Sequence, residues 1–155
     1  MIRQPLTADW YWTIGDDYSR AWSSRLRAFV SSGDIPEDVA PTPVATLADL
    51  IAMFERAGAP DLAPLNANHV RRECQRRMVA LTGARDAADL TIKLSNAQRE
   101  AIRLLRKGAE NWTADETARA AYLEAADAAI ELLRSRSNDM EGNPPADYQA
   151  DERWA

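Results

Sequence analysis

The chain has one cysteine and one histidine among its 155 residues. A lone cysteine excludes an intrachain disulfide, and a lone histidine with no second histidine or cysteine at ligand spacing leaves no zinc set. No apolar run approaches the roughly 20 residues that a membrane-spanning helix requires. Membrane insertion is therefore not expected. The stretch MIRQPLTADWYW has neither an apolar core of signal-peptide length nor a small-residue cleavage site, so the chain is expected to stay in the cytoplasm where it is made. Catalytic sets are missing as well. Ser23-Ser24 has neither a G-x-S-x-G elbow nor an accompanying base, and Asp16 and Asp17 beside Gly15 lack the other oxygen ligands of an EF-hand. No catalytic residue, metal ligand or cofactor is assigned, and the chain reads as a non-enzyme.

What is present is tryptophan at one end and segregated charge along the rest. Three of the five tryptophans fall between Asp9 and Val30, in DWYWTIGDDYSRAWSSRLRAFV. Trp10, Trp12 and Ile14 share one strand face under period-two alternation, Gly15-Asp16-Asp17 supplies a turn, and Tyr18 to Trp22 and Leu26 to Val30 follow as strands. Residues 1–30 thus read as an antiparallel β-meander. Three short strands cannot bury both faces, so the aromatics must pack on the rest of the chain or on another protein. Trp12 and Trp22 are expected inside. Trp10 and Tyr11 are candidate contacts, for a protein face or for a sugar stacked on an exposed ring.

Residues 31–45 hold three prolines and a glycine and read as an irregular connector. A mainly helical body over 46–137 follows. Thr46 caps a helix over 47–57 on Leu47, Leu50, Ile51 and Phe54, and a second spans about 67–81 on Val70, Cys74, Met78 and Leu81. Cys74 reads as an inert buried thiol, and His69, at the start of this helix, as solvated or capping. A third helix runs from 86 or 88 to 107 with Leu90, Leu94, Ala97, Ala101, Ile102 and Leu105 as its stripe. Thr113-Ala-Asp-Glu116 is a capping box, and its helix continues to about 137 on Ala118, Tyr122, Ala125, Ala126, Ala129, Ile130 and Leu133. The last two helices are expected to form an αα-hairpin, so the fold class is α+β.

Net charge is −5, distributed as −4 over 1–65, +6 over 66–107 and −7 over 108–155. A basic middle before an acidic last third predicts helices that pair through opposite charge. Arg71, Arg72, Arg76 and Arg77 form a possible basic patch, which would suit an arginine-rich nucleic-acid-binding regulator. The pI near 4.9 argues against nucleic acid, with these charges balanced inside the protein or across a subunit contact. Residues 138–155 are rich in acids and proline and should have no fold of their own. This extended tail is expected to pack on the meander or on a partner chain through Tyr148 and Trp154.

The strand D-W-Y-W running through an acidic turn into Y-S-R-A-W-S-S resembles the opening segment of many small tail proteins of bacteriophages and prophages. Asn143-Pro-Pro-Ala-Asp-Tyr-Gln-Ala-Asp-Glu-Arg-Trp154 resembles the P-A-D-Y…W ending of tail-fibre and tail-fibre-associated proteins, which usually close on Trp-Pro where this sequence has Ala155. Val70-Arg-Arg-Glu-Cys-Gln-Arg-Arg-Met78 is similar to the arginine-rich helix such proteins carry after their connector. The resemblance implies a structural part of a virion tail that attaches or projects fibre material, partnered by other tail proteins and by copies of itself, with a trimer favoured. An assembly chaperone absent from the mature particle is the alternative that the same resemblance allows.

Overall fold

The computed structural model describes residues 9–155; the first eight residues of the expected 1–30 module lie outside it. Strand β1, Tyr11–Ile14, meets β2, Asp17–Ser23, through a turn in which Gly15 takes a φ of +56°, a conformation that any Cβ would strain. β3, Ala28–Ser31, pairs antiparallel with β2, and Trp12 stands opposite Trp22, which stands opposite Phe29. This much is the expected meander. A fourth strand, β4, Thr42–Val44, then pairs parallel to β1, so the sheet is mixed, in the order β3-β2-β1-β4.

β4 corrects the reading of 31–45 as wholly irregular. Pro41 and Pro43 look like strand breakers, yet they alternate with Thr42 and Val44, whose N–H groups remain available to β1. An edge strand needs donors on one side only, so alternating prolines are tolerated there. The pairing is fixed further by Gly15, whose N–H donates to the Val44 carbonyl at 2.8 Å.

One face of the sheet is closed by α1, Leu47–Arg56, capped by Thr46, whose hydroxyl accepts from the Asp49 N–H at 3.1 Å. Leu50 and Phe54 of α1 join Trp12, Trp22 and Ala63 in one buried cluster, with the Trp12 and Phe54 rings edge to face at 5.0 Å. The Trp22 indole N–H donates to the Leu62 carbonyl at 2.9 Å. α1 therefore belongs with the sheet and not with the helical body, and the two compact units of the chain divide between Asn66 and Ala67.

The second unit is helical: α2, Ala67–Thr82; α3, Ala87–Lys107; and α4, Ala114–Glu141. α4 opens on the expected box, with the Thr113 hydroxyl accepting from the Glu116 N–H at 3.2 Å and the Glu116 carboxylate accepting from the Thr113 N–H at 3.0 Å. Both shorter helices run antiparallel to it. α2 meets its second half, as Arg71 bonding Glu141 and the Cys74 thiol donating to the Leu133 carbonyl require. α3 meets its first half through Glu100 with Arg119 and through Arg103 and Lys107 with Glu116. The expected hairpin of α3 and α4 thus has one arm lengthened by α2, which breaks from α3 at Gly83. Lys93 donates to the Thr82 and Gly83 carbonyls there, satisfying the end of α2.

Two helical stripes are rotated from their expected positions. In α3 the buried leucines are Leu90 and Leu104, while Ile102 and Leu105 are exposed; in α4 Leu123, Ile130 and Met140 are buried and Tyr122 is exposed. α4 also runs four residues beyond 137, because Met140 continues its seam into the cluster with Val70, Cys74 and Trp154. The basic middle and acidic last third do pair, through Arg71, Arg77, Arg103 and Lys107.

Replacing Trp22 by Phe removes the bond to Leu62 and leaves a void, and is expected to cost about 2 kcal/mol in urea denaturation. Glu116 gives a pH prediction. The Lys107 ammonium, then the Thr113 N–H and Arg103, hold its carboxyl down at about 2. A depressed carboxyl stabilises fully above its ordinary value near 4.5, and that contribution is lost as pH falls toward 2. Glu116→Gln should flatten the fall in stability between those two pH values, and carbon NMR of the carboxyl should read the depressed titration directly.

Candidate functional site

The strongest polar constellation of the sheet unit is built on Asp9, just before β1. Its carboxylate accepts from the Ser23 hydroxyl at 2.7 and 2.9 Å, the Ser24 hydroxyl at 3.3 Å and the Arg25 N–H at 3.0 Å. Burial pushes this carboxyl up, but the Ser23 hydroxyl, the Arg25 N–H and the Tyr11 and Ser24 hydroxyls more than offset it, so it titrates below the ordinary value. Ser23 is fully buried, and its oxygen also accepts from the Leu26 N–H at 3.0 Å. The hydroxyls donate to a carboxylate that stays ionised, and no base removes their protons. This is a clamp joining the entry of β1 to the β2–β3 turn, where Arg27 sits at a φ of +51°.

In the helical unit the polar centre is Glu73 on α2, whose side chain is only 4% exposed. It accepts from Arg76 at 2.6 and 2.7 Å and from Arg77 Nε at 2.7 Å. Burial raises this carboxyl, and Arg76 and Arg77 bring it below its usual range. Arg77 then reaches the last segment of the chain. Its Nη2 donates to the Gln149 carbonyl at 2.8 Å and pairs with Asp151 at 2.9 Å, and its guanidinium lies 5.1 Å from the Trp154 ring. Trp154 is buried and donates its indole N–H to the Tyr148 carbonyl at 2.7 Å.

The four sequence-derived contact residues consequently separate. Trp10 is 47% exposed and Tyr11 half-buried, so Trp10 remains available as a contact residue. Tyr148 and Trp154 are internal to the helical unit. Within that unit a short turn over Asp151–Arg153 seats Trp154 on Val70, Cys74 and Met140. His69 is also corrected. It is buried rather than solvated, with its ring edge to face with Tyr148 at 6.2 Å. Cys74 is buried as expected, and burial raises its thiol above the ordinary value.

The basic patch is largely neutralised. Arg71 pairs with Glu141, Arg76 with Glu73, Arg77 with Glu73 and Asp151, and Arg72 is half-buried. Among the described residues no group of histidine, cysteine and carboxylates could hold a metal ion, and no helix is long and apolar enough to cross a membrane. A groove of about 490 Å³ runs between α2 and α4 beside Leu81, Leu132 and Trp154. Another of about 620 Å³ lies in the sheet unit, bounded by Tyr18, Arg20, Pro36 and Pro43.

Trp10, Tyr18 and Leu26 are exposed in the sheet unit, and Ile92, Ile102, Leu105, Tyr122 and Leu132 in the helical one. Ile102, Leu105 and Tyr122 were read as inward residues, and the signal that separates them is the 4-3 spacing of Leu90, Leu94, Ala97, Ala101 and Leu104. That row alone matches the buried side. No family model, curated protein or solved structure matches the chain.

Trp154→Ala should lower the stability of the helical unit by about 3 kcal/mol and open the chain end, with trypsin then cutting at Arg153 faster than in the parent protein. Glu73→Gln removes the buried carboxylate that Arg76 and Arg77 share and is expected to cost about 3 kcal/mol in urea melts.

Proposed function

We propose that the chain is a non-enzymatic structural component of a bacteriophage tail, fibre- or tip-associated, that attaches or projects fibre material. The observation that carries this reading is the set of large apolar side chains left exposed on both units while the titratable clusters are engaged in internal bonds. Exposed apolar faces of this kind suit docking to protein surfaces. The resemblance of the Trp-rich opening and of the P-P-A-D-Y…W ending to small phage tail proteins supplies the context. In this reading the chain is made in the host cytoplasm and ends in the virion tail, where it contacts other tail proteins and copies of itself, with a trimer favoured.

Mass spectrometry of purified virions tests the proposal. Stoichiometric recovery of the chain in tails is the expected outcome. Its absence from particles whose fibres fail to assemble without it would replace this reading with that of an assembly chaperone. The arginine-rich DNA-binding alternative has little support, because three of its four arginines are held by acids. It would return if the chain shifted DNA at low salt and lost that binding steeply as salt rose.

A further inference from the structure

We infer that the groove on the sheet face turned away from α1 binds a short neutral saccharide. The site goes beyond the tail reading and does not depend on it. Its origin is an irregularity in the ladder. Trp12 stands opposite Trp22 and Ile14 opposite Asp17, so β1 advances two residues where β2 advances five. Tyr18 to Ala21 therefore bulge past Thr13, and the two strands part there. Trp12, Ile14 and Val44 turn toward the cluster with α1, so Thr13 and Pro43, its neighbour in β4, face the other way. The resulting groove, about 620 Å³, is lined by Thr13, Tyr18, Arg20, Pro43 and the 32–41 segment. That volume falls within the range of ordinary small-molecule pockets, about 300–1,000 Å³.

Thr13 distinguishes this groove from a mere surface depression. The residue is only 6% exposed and lines the groove, yet its hydroxyl has no hydrogen-bond partner among the described residues. Valine would fill the same space without that group, and a buried hydroxyl left unbonded is unfavourable. A ligand seated in the groove supplies the missing bond. The walls are already formed. The Val39 N–H donates to the Pro36 carbonyl at 2.9 Å, and the Ser31 hydroxyl caps the turn over Ser32–Asp34. Pro36, Pro41 and Pro43 fix their own φ, so little conformational freedom is lost on binding.

The lining selects the ligand class. A wholly apolar molecule would leave the Thr13 hydroxyl unbonded. An anion would meet Glu37, which is exposed and has no ion-pair partner among the described residues. Arg20, the other lining charge, is held by Asp17 at 3.0 Å, with its guanidinium 4.8 Å from the Phe29 ring. Three of the lining residues are prolines, which present carbonyls but no N–H, so the carbonyls of a peptide would find few donors. Saccharide hydroxyls both donate and accept. They suit the Thr13 and Ser32 hydroxyls and donate to the Glu37 carboxylate. The C–H face of a pyranose packs on the prolines and on the Tyr18 ring, which is 66% exposed at the groove.

The test presents the full chain to an array of neutral and sialylated glycans and then titrates the strongest neutral ligand in amide NMR. Shifts are expected at Thr13, Tyr18 and residues 32–39, with neutral glycans bound more tightly than their sialylated forms. Thr13→Val should weaken binding at least about tenfold while the thermal melt holds or rises, since no internal bond is lost; a threonine with only a structural role would lower the melt. Tyr18→Ala should weaken binding to a similar degree, and Glu37→Gln should narrow the gap between neutral and sialylated ligands. If no neutral glycan binds, or if Thr13→Val and Tyr18→Ala both leave the affinity unchanged, the groove is not a saccharide site. Shifts at the same residues with a proline-rich peptide and with no glycan would overturn the ligand class and make the groove a peptide site. Recovery of the chain in purified tails is independent of every one of these results, so a failure here leaves the proposed function standing.

Discussion

Two short helices laid in succession against one long helix form a layer only two helices deep, and that constraint governs the helical unit. Each helix in such a layer can bury one seam. α4, at 28 residues, has to supply a partner row for α2 over its second half and for α3 over its first. It does so with Leu123, Ile130, Ser137 and Met140, all buried. Within this unit Ile92, Ile102 and Leu105 of α3 and Tyr122 and Leu132 of α4 stay exposed. Apolar residues placed there are therefore an expected product of the sequence pattern, and their exposure carries information about what the chain meets.

Electrostatics fixes the order in which the pieces of this layer can sit. Exposed ion pairs contribute little each, but their directions are mutually consistent. Arg71 to Glu141 and Glu100 to Arg119 each require antiparallel pairing with α4, and a parallel arrangement would strand all four charges. Glu73 stands apart because it is buried. A carboxylate removed from water is tolerable only when its oxygens are bonded, and here two guanidiniums do so. Arg77 then uses its remaining N–H groups to hold the chain end. The buried anion on α2 thus reaches Trp154 through one side chain, which explains how a proline-rich, acidic segment becomes ordered.

The local devices were legible in the sequence because each depends on residues a few positions apart. The Thr113–Glu116 box, the Thr46 cap, the inward Trp12 and Trp22, and the starts of the helices all follow from short-range chemistry. The misread features depend on partners distant in sequence. β4 was hidden because proline counts against a strand unless it lies at an edge, and edge position is a property of the assembled sheet. Leu104 and Leu105 are adjacent, as are Tyr122 and Leu123, and a one-residue rotation of the stripe decides which is buried. Alanine-rich helices offer little contrast between faces, so the rotation is set by the neighbouring helix. Tyr148 and Trp154 looked available for contacts because nothing nearby could receive them, and the surface that does is formed by α2 and α4 together.

The polar clusters bear on function through their state of engagement. A catalytic carboxylate or hydroxyl has to exchange protons or bonds with a substrate, which requires a free lone pair or a nearby group ready to take a proton. The Asp9 carboxylate is saturated by donors and held ionised, and Glu73 is occupied by two arginines. Both groups act as anchors. Ser23 and Ser24 point their protons at an ionised carboxylate, and the pair serves to tie the β2–β3 turn to the entry of β1. Chemistry of this kind stabilises shape and leaves recognition to the surfaces. The large apolar side chains that stay exposed, Trp10 and Leu26 on one unit and Ile102 and Leu105 on the other, are where a partner would gain most from removing them from water.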